Sequence, residues 1–287
     1  MKFSILLQYL TPKQDITALA GKLAHLQGGS ITTLVIRWFV KRYNVNMAEA
    51  ANPDIASYKS FNEFFTRPLK HGVRPFAQAN YICPVDGAIS QFGAIEKDQI
   101  FQAKGHAYST AALVGGDKNL AQRFENGLFA CLYLSPKDYH RIHMPCDGTL
   151  KSMTYVPGAL FSVNPTTAQG VPGLFARNER VVCEFTSVQH GSFVMVLVGA
   201  TIVGSMATVW HDTASRIINP PRTRNTRTWR YDDKNIVLKQ GEEMGRFLLG
   251  STVVMLFEKD ALAFNADWQP AREIRLGEVM GNKLATK

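Results

Sequence analysis

The segment Pro84-Val85-Asp86-Gly87-Ala88-Ile89 has a close counterpart further along the chain, Pro145-Cys146-Asp147-Gly148-Thr149-Leu150. A second pair of similar segments is Gly241-Glu242-Glu243-Met244-Gly245 and Gly277-Glu278-Val279-Met280-Gly281. In each pair, a glycine-containing turn leads into a run that has the composition of a strand. Because each segment occurs twice and not in a long array, the pattern favours a duplicated, closed β-sandwich or hybrid barrel over a solenoid.

Short β-like runs separated by Gly and Pro turns continue from about Tyr81 to the end of the chain, whereas the N-terminal quarter has helical periodicity. The change of pattern predicts an α+β protein with two parts. We expect a helical segment over residues 1–75 and a mainly β, internally duplicated domain over residues 76–287.

Three helices are predicted in the N-terminal part from their start and stop signals. Thr11, Ser30 and Ser60 are N-cap residue types that stand before apolar-periodic runs. Gly28-Gly29 is expected to end the first of these helices, and the third should end before Pro68.

The helix that follows Ser30 carries an apolar stripe beside basic residues. The stripe consists of Ile31, Leu34, Val35, Trp38 and Phe39, and the basic residues are Arg37, Lys41 and Arg42. An amphipathic stripe usually packs on a protein core. Aromatic residues next to basic ones are also typical of a surface that binds a membrane interface. Both interpretations stay open at this point.

The overall composition limits the class of protein. With 46% hydrophobic and 19% charged residues, the 287-residue chain is not of the disordered type and can form one large folded domain, with or without an appendage. Its formal net charge of +9 favours an anionic partner, either nucleic acid or an acidic membrane surface. The four cysteines have no C-x-x-C spacing and lie in apolar contexts, which indicates buried, reduced thiols and a reducing compartment.

The chain has two apolar stretches that raise the question of membrane insertion. The first ten residues form too short a run for a convincing signal peptide. The stretch from Phe193 to Trp210 carries no charge, but it is rich in Val, Thr and Ile and is interrupted by Gly199 and Gly204. We therefore expect two buried strands joined by a tight turn, and no transmembrane helix.

The tetrapeptide Leu249-Gly250-Ser251-Thr252 precedes the strand-like run from Val253 to Phe257 and is the first candidate for chemistry. A Gly-Ser pair is most often only a turn. However, Gly250 has no side chain, so a nucleophile can approach its carbonyl closely, and the Ser251 hydroxyl is placed to attack it. Serine needs a base for such an attack.

A base is offered by Tyr139-His140-Arg141-Ile142-His143, which lies between a predicted turn and Met144-Pro145. The spacing of the two histidines lacks the glutamate and third ligand of common zinc motifs, so we expect no metal. Acid–base work is the interpretation that remains, because imidazole titrates near neutral pH. Asp86 and Asp147 each precede a glycine, and from the sequence alone such residues are most often hairpin residues without a catalytic role.

These motifs together resemble the bacterial phosphatidylserine decarboxylase proenzyme family. The segments that carry the resemblance are Leu249-Gly250-Ser251-Thr252, Pro84-Val85-Asp86-Gly87, Tyr139-His140-Arg141-Ile142-His143-Met144-Pro145, Phe161-Ser162-Val163-Asn164-Pro165, Phe175-Ala176-Arg177-Asn178-Glu179-Arg180 and Gly245-Arg246-Phe247. They follow one another in the family's order over nearly the whole chain. That order makes the resemblance specific, which the tetrapeptide alone is not.

The resemblance implies a proenzyme that cuts itself between Gly250 and Ser251. His143 is expected to take the proton of Ser251, and Asp86 to orient and charge the imidazole, as in a serine-protease triad. The hydroxyl of Ser251 then attacks the carbonyl of Gly250. Elimination and hydrolysis follow and leave a pyruvoyl group at the former Ser251.

The resemblance also implies what the cut chain does. Residues 1–250 and 251–287 are expected to stay together as a heterodimer of processed chains. The pyruvoyl cofactor acts as an electron sink in decarboxylation. His140 is expected to assist decarboxylation or protonation.

Phosphatidylserine as substrate and phosphatidylethanolamine as product imply that the active site reaches a bilayer. We expect peripheral attachment to an anionic membrane surface, on the cytoplasmic face of the cell membrane, through the N-terminal helices. The family suggests a homodimer, and we expect no nucleic-acid partner. A cluster of arginines either contacts lipid phosphates or forms a solvated loop: Arg222, Arg224, Arg227 and Arg230.

Two other classes of function stay open. A lipoyl-like, non-enzymatic carrier or binding module would fit the repeats, but it should have an exposed lysine at a hairpin tip between them, and no lysine is placed that way. A Ser-His-Asp hydrolase would use Ser251 as an ordinary nucleophile, but the strand–turn–helix G-x-S-x-G elbow is absent. Either alternative would remain one chain, so the mass of the purified protein separates them from a self-cleaving enzyme.

Overall fold

A computed structural model of the chain describes residues 3–200, 206–211, 224–248 and 251–284. Its helices are α1 (Phe3–Leu10), α2 (Lys13–His25), α3 (Ser30–Tyr43), α4 (Phe61–Phe65), α5 (Thr110–Leu113), α6 (Lys118–Gln122), α7 (Pro165–Ala168) and α8 (Leu174–Arg177), with short 3-10 turns at Met47–Glu49 and Ile55–Ser57. Its strands are β1 (Tyr81–Ile82), β2 (Gly87–Ala94), β3 (Gln99–Ala103), β4 (His106–Ser109), β5 (Leu128–Leu134), β6 (Arg141–His143), β7 (Gly148–Val156), β8 (Arg180–Ser187), β9 (Gly191–Val198), β10 (Met206–Thr208), β11 (Arg227–Arg230), β12 (Val237–Leu238), β13 (Glu243–Phe247), β14 (Ser251–Phe257), β15 (Ala263–Phe264), β16 (Glu273–Ile274) and β17 (Val279–Asn282).

The strands form one large antiparallel sheet and three smaller ones. The large sheet has the order β11-β7-β8-β9-β14-β5-β2-β16, and β12 also pairs with β7. The smaller sheets are β1-β17-β15, β10-β13-β6 and the hairpin β3-β4. With the helices concentrated in the first quarter and antiparallel sheets after it, the predicted α+β class is confirmed.

Strand β14 lies in the middle of the large sheet, between β5 and β9. Val253, Met255 and Phe257 join the hydrophobic cluster on one face of the sheet, and Val254 and Leu256 join the cluster on the other. Both faces are therefore buried, which is why this strand is a continuous apolar run and does not alternate with polar residues. The four cysteines are buried free thiols, as their apolar contexts predicted.

The internal duplication is visible in the backbone hydrogen bonds. Cys83 exchanges two of them with Gly277-Glu278, at 3.0 and 2.8 Å, and Met144 exchanges two with Gly241-Glu242, at 2.9 and 2.8 Å. Gly241 and Gly277 both have positive φ, 80° and 88°. A Cβ at either glycine would meet the Phe76 ring, at 2.1 and 2.7 Å, so the two copies converge on one side chain.

A second set of bonds joins the copies to each other. The N–H of Ile82 donates to the carbonyl of Pro145, and the N–H of His143 donates to the carbonyl of Pro84, both at 2.9 Å. The exchange is reciprocal, so the two copies are related by a local pseudo-twofold arrangement. In this arrangement Ile82 is the counterpart of His143.

The N-terminal helices match the prediction in number and approximate position, with one addition. Helix α1 was not predicted, and its Ile5 is buried in a cluster of the β-rich part. Ser60 caps α4 by accepting the N–H of Glu63 at 3.2 Å, as its spacing predicted. The other two caps differ from the prediction, because Pro12 and Gly29 occupy the N-cap positions of α2 and α3 without a side-chain hydrogen bond.

The two faces of α3 have different surroundings. Ile36 and Phe39 are buried in a small cluster with Phe64 and Phe65 of α4. Phe39 therefore belongs to a protein core, and the interpretation that placed it on an interfacial surface with Trp38 is wrong. The physical reason is that α4 carries aromatic residues of its own and covers this side of α3.

The uncharged stretch from Phe193 to Trp210 contains two buried strands, β9 and β10, as predicted. They do not form a hairpin, because β9 lies in the large sheet and β10 pairs with β13 in another. Among the helices in the described ranges, none combines the length and apolarity needed to cross a membrane.

Candidate active site

Two of the predicted site residues, Asp86 and Ser251, lie at the same end of the large sheet. Ser251 is the first residue of β14 and lies opposite Leu134, the last residue of β5. On the other side of β5, Ala88 of β2 pairs with Tyr133, so Asp86 directly precedes this strand at the same end. Two strand spacings separate β14 from β2, about 10 Å. The fold thus brings Asp86 and the start of β14 to opposite sides of one strand.

The predicted cleavage site includes Leu249, Gly250 and the side chain of Ser251, which lie outside the part of the chain that the structure describes. Its two flanks are described. The N–H of Phe247, the last residue of β13, donates to the carbonyl of His140 at 2.9 Å. The chain is therefore held by the backbone of His140 just before the predicted cleavage site, and by pairing with Leu134 just after it.

His143 is held as a neutral imidazole with a defined tautomer. Its Nδ1 lies 2.8 Å from the carbonyl of Gly241, which can only accept, so Nδ1 donates. Its Nε2 accepts from the Tyr139 hydroxyl at 3.2 Å. Burial lowers the pKa of His143, while the Gly241 carbonyl and nearby carboxylates, Asp86 among them, oppose that shift. In the neutral ring, Nε2 is the nitrogen without a proton, so it is the atom that can act as a base.

Asp86 does not hydrogen-bond to His143, although both side chains are described. Its carboxylate is clasped by Arg74, whose Nε lies 3.0 and 3.1 Å from the two oxygens and whose Nη2 lies 2.5 Å from Oδ2. The N–H of Leu276 donates to Oδ1 at 2.9 Å. The prediction that Asp86 orients His143 through a hydrogen bond is therefore corrected. The carbonyl of Gly241 orients the ring, and Asp86 acts on it through its charge.

The physical reason for this arrangement is burial. The side chains of Asp86 and Arg74 are each only 8% exposed, and a buried carboxylate needs a cation and hydrogen-bond donors. Arg74 also reaches Glu49 at 2.6 Å, and Arg275 contacts Glu49 at 3.4 Å. Burial acts to lower the pKa of Arg74, but the hydrogen bonds to Asp86 and Glu49 raise it above its ordinary value.

His140 is fully buried in a different setting. Its Nδ1 lies 2.8 Å from the carbonyl of Asp138, and its ring packs on Phe65 with 4.1 Å between ring centroids. Its Nε2 is buried and has no hydrogen-bond partner among the residues that the structure describes. Burial lowers the pKa of His140 to about 3, so the ring is neutral at neutral pH with one unengaged nitrogen. An orphan polar atom of this kind is typical of a position where a ligand supplies the missing partner.

Sequence reasoning missed two contributors. Arg74 belongs to the stretch assigned to the helical segment, and a lone arginine before proline gives no local signal of its partner. Gly241 did have a signal, since it opens one of the repeated glycine segments. The repeat indicated a turn, but it did not indicate that the carbonyl of this turn would face His143.

The duplicated position lacks a base. Asp147, the counterpart of Asp86, accepts from the backbone N–H of Gln240 at 2.8 Å and from Lys239 Nζ at 2.8 Å. The hydrogen bond from Lys239 lowers the pKa of Asp147. Ile82 stands where the other copy has His143, so this position cannot accept a proton. Asp147 thus has a structural role, but it does not lie in a hairpin, because β6 and β7 on either side of it belong to different sheets.

Two adjoining cavities open at this end of the molecule. One of 260 Å³ lies between the N-terminal segment and the β-rich part and is lined by Asn44, Asn46, Glu49, Arg67, Leu69, Arg74, Asp86, Gly87, Lys137, Asp138, Tyr139, Glu273, Ile274, Arg275 and Glu278. The other, of 460 Å³, has a more apolar lining that includes Ala88, Tyr133, Ser135 and Pro165. Both cavities reach Gly87 and Asp138, which places them beside the start of β2.

The remaining charged cluster is exposed. Arg224, Arg227 and Arg230 have exposed side chains, and Arg227 stacks over the Trp229 ring at 4.9 Å. Arg222 lies outside the described residues. No group of three or more His, Cys, Asp or Glu side chains arranged to hold a metal occurs within the described ranges.

Comparison with known proteins adds independent information. Residues 61–282 match the family model described as "Phosphatidylserine decarboxylase", and residues 3–44 match a model described as "PSD". A protein of Dechloromonas aromatica named "Phosphatidylserine decarboxylase proenzyme" is 73% identical over 281 residues and covers 98% of both chains. Proteins with the same name are 68% identical in Azoarcus sp., covering 98% of this chain and 96% of that one, and 67% identical in Methylobacillus flagellatus, covering 97% and 98%.

Proposed function

The chain belongs to the phosphatidylserine decarboxylase family, and from this membership we propose that it cuts itself at Gly250-Ser251 before it acts. The activity that follows from the family is the decarboxylation of phosphatidylserine to phosphatidylethanolamine by a self-processing proenzyme. A carrier module and an unprocessed hydrolase are not favoured by a match of this extent. The observation that carries the maturation step is the neutral, oriented imidazole of His143.

In the proposed maturation, His143 Nε2 releases its hydrogen bond from the Tyr139 hydroxyl and takes the hydroxyl proton of Ser251, while the Ser251 oxygen attacks the carbonyl carbon of Gly250. The C–N bond breaks, the amine receives the proton, and an ester replaces the amide. Loss of the α-proton of Ser251 then expels the carboxylate of Gly250. The remaining dehydroalanine tautomerises to an imine, and water releases ammonia and leaves the pyruvoyl group.

Asp86 is assigned a supporting role in this step. As His143 becomes a cation, a nearby carboxylate stabilises it, which is the electrostatic part of a triad. The Arg74 clasp keeps Asp86 in place and supplies the hydrogen bonds that a buried anion needs. Gly241 supplies the orienting acceptor at Nδ1 of His143.

The surroundings fit a covalently attached pyruvoyl group at position 251. Such a group supplies an electron sink when carbon dioxide is lost from the substrate. His140 directly precedes β6, and its carbonyl accepts from the N–H of Phe247 just before the proposed cleavage site. Its buried Nε2 has no partner among the described residues, and a bound reactant can supply one. We assign His140 to assisting decarboxylation or protonation: its Nε2, the ring nitrogen without a proton, accepts a hydrogen bond or a proton from the bound reactant.

The proposed products of cleavage, residues 1–250 and 251–287, should remain together. Strand β14 pairs over its whole length with β5 and along most of it with β9. Its apolar side chains belong to both hydrophobic clusters. A cut ahead of β14 therefore leaves the second chain in the centre of the sheet, which supports a stable heterodimer. The homodimer that the resemblance suggested stays a prediction.

We propose residues 1–75 as the membrane-association segment and 76–287 as the catalytic domain. A docking surface of exposed apolar side chains on α2, on its C-cap residue Leu26 and on α3 supports the first assignment: Ile16, Leu19, Leu23, Leu26, Ile31, Leu34, Val35 and Trp38. Basic residues on the same helices include Lys22, Arg37, Lys41 and Arg42. Exposed apolar side chains beside basic residues fit peripheral binding to an anionic membrane, here proposed as the cytoplasmic face.

Intact-mass measurement and a turnover assay test the proposal. The wild-type protein should give two chains, the smaller one beginning with a blocked, pyruvoyl-bearing residue, and should convert phosphatidylserine to phosphatidylethanolamine. Ser251→Ala should give one uncut, folded and inactive chain, because no oxygen remains to attack Gly250. A cut at the same bond in Ser251→Ala would refute the mechanism.

A further inference from the structure

The 260 Å³ cavity contains a buried cation that the maturation mechanism does not use. Arg67 lines this cavity and is only 4% exposed. Its guanidinium donates from Nη1 to the Phe64 carbonyl at a long 3.4 Å and lies 5.1 Å from the Phe64 ring centroid. Its Nε is buried and has no hydrogen-bond partner within the described part of the chain. Burial lowers the pKa of Arg67, yet a guanidinium in a protein stays charged.

The other cations of this cavity are already neutralised. They form the ion pairs Arg74–Asp86, Arg74–Glu49, Arg275–Glu49 and Lys137–Glu273. Arg67 forms no ion pair with any described residue: the charges of Asp86 and Glu49 reach it, but both carboxylates are paired with Arg74. A buried, unpaired charge is costly to a folded protein, so its presence needs a reason. The reason offered by this geometry is an anion that enters the cavity.

Arg67 is close to the proposed reaction centre. The adjacent Thr66 accepts through its carbonyl from Arg141 Nε at 2.9 Å, and Phe65 packs on His140. Burial is the main cause of the lowered pKa of His140, and the hydrogen bond to the Asp138 carbonyl opposes it. The charge of Arg67 is near enough to lower this pKa further. The cavity it lines also contains Asp86. An anion bound at Arg67 therefore lies beside the histidine that is assigned to the substrate.

We propose that Arg67 binds the phosphodiester group of the phospholipid substrate. A guanidinium has a planar fork of donors that matches two phosphate oxygens. The substrate has a second anion, its carboxylate, but this group leaves as neutral carbon dioxide. A cation held on the carboxylate would stabilise the reactant more than the transition state and slow the reaction. The inference rests on the proposed decarboxylase function and adds a named binding residue to it.

Arg67→Met tests the assignment because it keeps the length and apolar contact of the side chain but removes the fork. Self-cleavage should proceed, since Arg67 has no part in it. On a short-chain, water-soluble phosphatidylserine, KM should rise roughly 10- to 100-fold with kcat nearly unchanged, as expected for the loss of charge-assisted bonds present in both reactant and transition state. Arg67→Lys, which keeps the charge, should show a smaller rise.

A product analogue distinguishes the two anions of the substrate. Short-chain phosphatidylethanolamine has the phosphodiester and lacks the carboxylate, so its inhibition constant should rise in Arg67→Met by about the same factor as KM. If KM rises but this inhibition constant does not, Arg67 contacts the carboxylate and the proposal is wrong. An unchanged KM, or a fall in kcat alone, would overturn it as well.

Two further measurements keep the test decisive. Arg275→Met is the matched control, because Arg275 lines the same cavity but is paired with Glu49 and is mostly exposed, so its KM should change little. If Arg67→Met fails to mature, the inhibition constant of short-chain phosphatidylethanolamine for Arg67→Lys decides: an unchanged value refutes phosphate binding. A wild-type protein that is not cut or makes no phosphatidylethanolamine would instead refute the proposed function.

Discussion

Replacement of Arg74 by methionine should destabilise the folded chain strongly through a residue 12 positions away, Asp86. Arg74→Met removes three hydrogen bonds to the Asp86 carboxylate, at 2.5, 3.0 and 3.1 Å, and leaves the one from the Leu276 N–H at 2.9 Å. It also leaves the Glu49 carboxylate, a neighbour of like charge, without its closest cation.

The magnitude follows from burial. Each partner's side chain is 8% exposed, and removal of one member of a buried ion pair costs about 3–5 kcal/mol because the other charge stays uncompensated. The N–H of Leu276 still solvates one oxygen, so we expect the lower end, about 3 kcal/mol. Asp86→Asn in the same chain should recover part of that loss, because it removes the orphaned charge.

Urea unfolding of the Ser251→Ala variant measures this loss on an uncut chain. The internal duplication provides a matched control in Lys239→Met, since Lys239 is paired with Asp147, the counterpart of Asp86. That pair is largely exposed, with side chains 66% and 46% accessible, so its loss should change the unfolding free energy little. A loss below about 1 kcal/mol for Arg74→Met, or one no larger than for Lys239→Met, would refute the clasp as the support of Asp86.

Three further outcomes are expected. His143→Ala should block self-cleavage, whereas His140→Ala should be cut on a gel yet fail to make phosphatidylethanolamine; normal processing of His143→Ala over hours would remove it as the base. Since burial lowers the pKa of His143, its basic form persists below the ordinary histidine value, so the cleavage rate should stay level through pH 6.5 and fall only in more acid solution; a rate that already halves near pH 6.5 would contradict this. Trp38→Ala should weaken vesicle flotation at high and low salt without loss of stability, while Phe39→Ala should cost about 3 kcal/mol or more of unfolding free energy, because Phe39 is buried; equal stability of the two variants would contradict the assignment of their faces.

The parts of the fold that sequence reasoning captured are those that local patterns encode. A central strand has both faces buried, so the apolar run from Val253 to Phe257 marks β14 directly. The repeated glycine turns at Gly241 and Gly277 indicated the duplication because both copies need the same positive-φ backbone there. Family motifs then brought His140, His143 and Asp86 into consideration before any geometry was known.

The parts that were missed depend on contacts between distant segments. Periodicity showed that α3 is amphipathic, but it could not show that α4 covers Phe39 and leaves Trp38 exposed. Likewise, the triad pattern predicted that Asp86 binds His143. Nothing in the sequence indicates that Arg74 is the residue that pairs with Asp86. A buried carboxylate takes the donor that its tertiary surroundings offer.

The duplication also explains why one of two equivalent positions became a site. His143 comes from the second copy and Asp86 from the first, so the base and the carboxylate meet only where the copies face each other. At the equivalent position the pair is Ile82 and Asp147, and a hydrocarbon cannot accept a proton. A histidine in place of Ile82 would supply a base, but the proposed cleavage site, Gly250-Ser251, has no second copy for it to act on. The described residues that flank the predicted cleavage site, Phe247 and Ser251, pair instead with His140 and with the end of β5, the strand beside which Asp86 lies.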